Sequence, residues 1–177
     1  MNYIKNLNIS IIHYLKIINT NLIRESWEGG GLMKAAMGIR EIMDIIPHRP
    51  PFIFVDRVKI LEDGVRGIGY KNVTINEYYF KGHYPGNPVM PGVIIVETMA
   101  QVGAVVLLSH ESFKGKVPYF AGINKFRFKR KVIPGDVLRI DVEIIKLRGS
   151  IGIGKGKVFV DDKLAAEGEL MFAISKE

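Results

Sequence analysis

The stretch Gly82-His83-Tyr84-Pro85-Gly86-Asn87-Pro88-Val89-Met90-Pro91-Gly92-Val93-Ile94-Ile95-Val96-Glu97-Thr98-Met99-Ala100-Gln101 decides how this chain folds. Its first part is a loop carrying His83 and stiffened by Pro85, Pro88 and Pro91, since proline fixes the backbone φ. Pro91-Gly92 then opens a mostly apolar run that continues to Leu108 and holds one carboxylate, Glu97. Val89 to Leu108 has the ~20 residues needed to cross a bilayer. It also contains Pro91, Gly92, Glu97, Thr98 and Gln101, and a charge at mid-membrane is strongly unfavourable. A helix apolar on all sides is equally what the core of a soluble domain requires. We therefore expect a buried helix from Gly92 to about Ser109 and no membrane span.

Around this helix the pattern changes from helical to strand-like. Ile39 to Ile46 reads as a short helix stopped by Pro47. Phe52 to Leu61 and Val65 to Val73 read as a hairpin turning at Glu62-Asp63-Gly64. After Gly115 come strand-like runs at Pro118 to Phe128, Val137 to Leu147, Ile151 to Val160 and Lys163 to Ile174, the last two joined at Asp161-Asp162. Strands, one long apolar helix, then a run of strands is an α+β pattern with a segregated antiparallel sheet. A sheet curled round the helix would bury it, and the alternation after Gly115 gives the sheet one solvated face.

At 177 residues the chain has enough apolar content for one real core. It lacks cysteine, which excludes disulfides and thiolate metal sites and suits a cytoplasmic home. His13, His48, His83 and His110 show no metal-ligand spacing, so no metal is expected. The formal charge of +7 could serve nucleic acid, an anionic membrane or an acidic protein. No nucleic-acid motif accompanies it, which leaves the acidic protein as the better fit.

Residues 1–38 differ in composition from the rest, being rich in Asn and Ile. Ile4, Leu7, Ile11, Leu15, Ile18 and Leu22 recur at helical spacing, yet asparagine is a poor helix former. A secretory signal does not fit, for want of a compact apolar block and cleavage site. Gly29-Gly30 can be encoded as a ribosome-binding sequence ahead of Met33. The expectation is a translated leader before a folded protein that begins near Met33 or Met37, with a flexible linker after a genuine helix as the alternative. The domain is taken as residues 39–177 and residues 1–38 as an extension.

The His83-to-Gln101 segment resembles the active-site signature of the 3-hydroxyacyl-acyl-carrier-protein dehydratases of type II fatty-acid synthesis (the FabZ type). The likeness continues through Pro47-His48-Arg49-Pro50-Pro51-Phe52, Val55-Asp56-Arg57-Val58, Phe120-Ala121-Gly122-Ile123 and Pro134-Gly135-Asp136. The resemblance implies the hot-dog fold and loss of water from a (3R)-hydroxyacyl thioester to give the trans-2-enoyl product. It also implies no cofactor beyond the phosphopantetheine that arrives on acyl carrier protein. It further implies a homodimer, assembled into a trimer of dimers, whose site takes histidine from one subunit and glutamate from the other. The FabA-type dehydratase/isomerases are similar here but carry Asp in place of Glu97 and Cys in place of Val93. A hot-dog thioesterase and a carrier-binding module without chemistry are the remaining alternatives.

Residue by residue, a lone histidine is ordinarily a structural hydrogen-bonding group. The fixed loop beside a helix N-terminus favours chemistry for His83, and the resemblance makes it the base that takes the α-proton. Glu97 among Val93, Ile94, Ile95, Val96, Met99 and Ala100 is unfavourable if ionised and unpaired. Burial favours its protonated form, ready to act as an acid; a paired structural glutamate is the alternative. Gln101, one turn on, would orient Glu97, contact the substrate hydroxyl or serve structure alone. The free N–H groups of the first helical turn, at Gly92 and Val93, could hold the thioester oxygen as charge builds. His48 reads as a structural residue, and Phe52 and Phe54 as one strand face lining core or tunnel. In Lys125-Phe126-Arg127-Phe128-Lys129-Arg130-Lys131, the aromatics would face in and Lys125, Arg127 and Lys129 out. That strip, with Arg130 and Lys131, is either a solvated face or the landing site of an acidic carrier.

Overall fold

A computed structural model describes residues 35–175; the expectations for residues 1–34 lie outside the described residues. The elements are helix α1 (Ile39–Ile45), strands β1 (Arg57–Glu62) and β2 (Arg66–Asn72), helix α2 (Gly92–Leu108), and strands β3 (Pro118–Phe128), β4 (Val137–Arg148), β5 (Ile151–Val160) and β6 (Lys163–Ile174). Short 3-10 turns at Tyr78–Lys81 and Glu111–Phe113 flank α2. The strands form one antiparallel sheet in the order β1-β2-β4-β5-β6-β3. Met37 adds an isolated bridge to Val58, its N–H donating to Val58 O at 2.7 Å. The hairpin between β5 and β6 closes through Asp161 and Asp162, both at positive φ (48° and 59°), the turn geometry that matches strand twist.

The sheet wraps α2 closely because glycines stand where side chains would collide. A Cβ on Gly69 would lie 2.2 Å from Val102 Cγ2, one on Gly67 2.7 Å from Val106 Cγ2, and one on Gly156 2.4 Å from Met99 Sδ. Glycine weakens a strand interior unless a close approach requires it, and here helix knobs fill each gap. Val102, Val105, Val106, Leu138, Ile140 and Val158 are fully buried between helix and sheet. No helix among the described residues is long and apolar enough to cross a membrane.

Some expectations need correction. Helix α2 is not buried all round: Val93 is 74% exposed, and Glu97, Ala100 and Gly103 are only part-buried, so one face stays open. Phe52 to Asp56 is not strand, and Phe52 and Phe54 do not share a strand face. Phe54 is buried while Phe52 is 50% exposed. The backbone groups there bond to a side chain, Gln101, rather than to a neighbouring strand. Phe128 does not face the core either, being half exposed. A bulge between Asn124 and Arg127, with Lys125 at φ 50°, breaks the alternation, as bulges do.

Candidate active site

Helical spacing places Gln101 directly over Glu97, and Gln101 Nε2 donates to Glu97 Oε1 at 2.9 Å. The same amide nitrogen donates to Phe52 O at 3.0 Å, and Gln101 Oε1 accepts from Phe54 N–H at 2.8 Å. Gln101 therefore spends its polar atoms in a site where it is only 1% exposed, as a buried amide must. Glu97, its side chain 15% exposed, also has His48 Nε2 at 3.4 Å from Oε1. It is thus a partnered carboxylate and not an isolated one. Thr98 needs no outside partner, since its hydroxyl donates back to Ile94 O at 2.6 Å.

Glu97, Gln101 and His48 open onto a cleft of about 640 Å³, part of it open to solvent. Its far walls are apolar: Ala104 and Leu107 of α2, Tyr119 and Phe120 at the start of β3, and Met171 and Phe172 near the end of β6. The sequence reading did not single out these walls; β3, exposed at most positions, carries no alternation to betray Tyr119 and Phe120.

His83 is held apart from that cleft and is not among its lining residues. Its backbone N–H donates to Tyr79 O at 3.0 Å, and its Nδ1 lies 2.7 Å from Val89 O. A carbonyl only accepts, so Nδ1 carries a proton and Nε2 is the nitrogen left to take one. The Tyr84 ring stacks on the imidazole at 4.1 Å between centroids. A part-buried Lys71–Glu77 ion pair ties the preceding 3-10 turn to β2. Beside it, burial pushes the Tyr79 phenol well above its ordinary range.

Gly92 begins α2, with Pro91 O accepting from the N–H groups of Ile94 and Ile95 at 2.9 and 3.3 Å. The amides of Gly92 and Val93 precede these and have no intrahelical acceptor, and no side chain caps them. The Phe128 ring covers Gly92 so closely that a Cβ there would lie 2.8 Å from Phe128 Cζ. In the basic strip, Lys129 pairs with Glu167 at 3.6 Å and Arg130 with Asp136 at 3.3 Å. Lys125, Arg127 and Lys131 pair with no carboxylate among the described residues. Nor do the described residues gather His, Asp or Glu side chains into a group that could hold a metal ion.

A FabA-like domain model matches residues 46–169. Among solved structures, the dehydratase heterocomplex ApeI:P from Xenorhabdus doucetiae superposes with a TM-score of 0.66 at 17% identity, covering 77% of this chain and 91% of that one. A hypothetical thioesterase with coenzyme A from Streptococcus pneumoniae TIGR4 gives 0.53 at 10% identity, covering 78% and 97%. At these identities the structures speak to fold alone. With the sheet wrapped on one helix they define a hot-dog fold, and the matching domain model places it in the FabA-like class. The 3-hydroxyacyl-[acyl-carrier-protein] dehydratase FabZ of Clostridium novyi (strain NT) is 58% identical over 141 residues, covering 80% of this chain and 99% of the relative. Its counterpart in Clostridium botulinum (strain Kyoto / Type A2) is 57% identical over 144 residues, covering 81% and 100%. The chain belongs to the FabZ family of 3-hydroxyacyl-[acyl-carrier-protein] dehydratases.

Proposed function

We propose that this chain catalyses the reversible loss of water from a (3R)-hydroxyacyl thioester on acyl carrier protein, giving the trans-2-enoyl thioester in fatty-acid synthesis. The observation that carries the reading is the Glu97 carboxylate, tied through one oxygen to Gln101 at the mouth of an apolar cleft, in a chain so similar to named FabZ dehydratases.

In this reaction His83 Nε2 takes the proton from C2, which the neighbouring thioester carbonyl makes acidic. The C2–H electron pair becomes the C2=C3 bond as the C3–O bond breaks. Charge building on the carbonyl oxygen meets the free amides of Gly92 and Val93, where losing one such donor typically costs ~2.7–4 kcal/mol in the barrier. Glu97 gives its proton to the departing hydroxyl, which leaves as water. One proton is taken and one supplied, and exchange with solvent resets both groups. The acidity of C2 and the two proton carriers suffice, so no metal or organic cofactor is required.

The absence of His83 from the cleft lined by Glu97, together with a β3 edge that is exposed at most of its positions, supports a site completed by a second copy. The working unit is then a homodimer, assembled into a trimer of dimers in the cytoplasm. Lys125, Arg127 and Lys131, with Lys129 and Arg130 beside them, are the surface offered to the acidic carrier.

The test is enoyl absorbance from a 3-hydroxyacyl N-acetylcysteamine thioester. The unaltered chain should form product, while His83→Ala and Glu97→Gln homodimers should be nearly inactive. After subunit exchange, about a quarter of sites pair two intact residues, and activity should return to match. Failure of the unaltered chain to form enoyl product refutes the dehydratase reading. No recovery despite demonstrated exchange refutes the shared site.

A further inference from the structure

His48, its side chain 24% exposed, is held beside Glu97 by the turn that follows α1. Pro47 stops α1, and Arg49 pins the turn that follows, its Nη1 donating to Ile46 O at 2.9 Å and to His48 O at 2.7 Å. The imidazole is thereby held face-on to the Phe52 ring, with centroids 6.3 Å apart and planes 15° from parallel. Nε2 lies 3.4 Å from Glu97 Oε1. Nδ1 is buried with no hydrogen-bond partner among the described residues.

An orphaned Nδ1 identifies the proton arrangement. If Nδ1 carried the hydrogen, a donor would be buried without an acceptor while the Nε2 lone pair faced an oxygen. With the hydrogen on Nε2, the N–H lies beside the Glu97 carboxylate and only a lone pair is left buried, the lesser penalty of the two. Oε1 then accepts from Gln101 Nε2 at 2.9 Å and has the His48 N–H nearby, its nitrogen 3.4 Å away. An oxygen already flanked by two N–H groups is the poorer place for a proton, so a protonated Glu97 carries its hydrogen on Oε2.

We propose that His48 is a positioning residue for Glu97. Together with Gln101 it occupies Oε1, places the transferable proton on Oε2 and steadies the carboxylate once that proton has left. The inference rests on the dehydratase reading, in which Glu97 supplies a proton to the leaving hydroxyl. His48 touches no substrate in this account; it acts through Glu97 alone.

Two substitutions separate this role from packing. His48→Phe keeps a ring against Phe52 and removes both nitrogens, whereas His48→Gln restores an N–H near the position of Nε2. With the N-acetylcysteamine thioester, His48→Phe should lower kcat at least about tenfold with KM within about twofold. His48→Gln should recover most of that loss, and both should melt within a few degrees of each other. In a Glu97→Gln background, His48→Phe should remove nothing further from the residual rate, because the residue through which it acts is gone. A His48→Phe kcat within about twofold of the parent, an equal loss in His48→Gln, or an undiminished effect in the Glu97→Gln background each overturns the assignment. Failure of the parent chain to turn over at all is a different result, and overturns the dehydratase reading on which the assignment stands.

Discussion

Replacing Gln101 by leucine removes three hydrogen bonds while keeping nearly the same volume. The Phe54 N–H loses its acceptor in a place where Phe54 itself is 1% exposed; an orphaned buried donor costs about 1–3 kcal/mol. Phe52 O lies under a half-exposed residue and can recruit water, so its loss is ~1 kcal/mol at most. The bond to Glu97 contributes about 1–2 kcal/mol, since that carboxylate keeps His48 beside it. Burying a leucine in place of an amide returns roughly 1–2 kcal/mol. The central expectation is a destabilisation of about 2.5 kcal/mol, or roughly 5–10 °C in Tm for a domain of this size. Urea and thermal unfolding at fixed protein concentration measure it, because an oligomer's stability depends on concentration. Turnover should fall as well, since Glu97 loses its nearest anchor. A Gln101→Leu protein within about 1 kcal/mol of the parent, with unchanged kcat, would refute the claim that this amide joins the entry segment to the acid.

Gly69→Ala puts a methyl 2.2 Å from Val102 and should cost about 1–3 kcal/mol by urea unfolding; adding Val102→Ala should recover part of it, and two additive losses would show that the contact is not the cause. Tyr79→Phe deletes a buried hydroxyl with no hydrogen-bond partner among the described residues, so Tm should hold or rise, and a loss above about 1 kcal/mol would mean the hydroxyl has a partner. Asp141 is held above its ordinary value, first by desolvation and against the pull of Arg139. A raised carboxyl contributes stability at low pH that is lost as pH climbs through its folded value, so Asp141→Asn should flatten the fall in stability above about pH 4; an unchanged slope would place that titration elsewhere.

Much of this fold was legible because alternation and turn chemistry agree. The limits of β3, β5 and β6 match the sequence reading to the residue, bounded as they are by Pro118, Ser150 and the Asp161-Asp162 turn. The Glu97–Gln101 pair and the free amides at Gly92 follow from helical spacing and proline punctuation alone. Phe52 and Phe54 misled because alternating aromatics imitate a strand whether their backbone bonds to a neighbour strand or, as here, to one glutamine side chain. Phe128 misled because the bulge between Asn124 and Arg127 breaks the alternation, leaving Phe126 against the core and Phe128 half exposed. His48 stands far from Glu97 in sequence, and no local pattern could show them meeting.

The glycine gaps that receive Val106, Val102 and Met99 carry a consequence for evolution of the cleft. They lock the sheet-facing side of α2 into sockets, so the helix cannot slide or tilt without striking backbone. A relative adapting to longer or shorter acyl chains has no freedom to move that wall. It must instead resize the rims, at Tyr119, Phe120, Met171 and Phe172, where single substitutions alter depth while Glu97 and Gln101 stay in place.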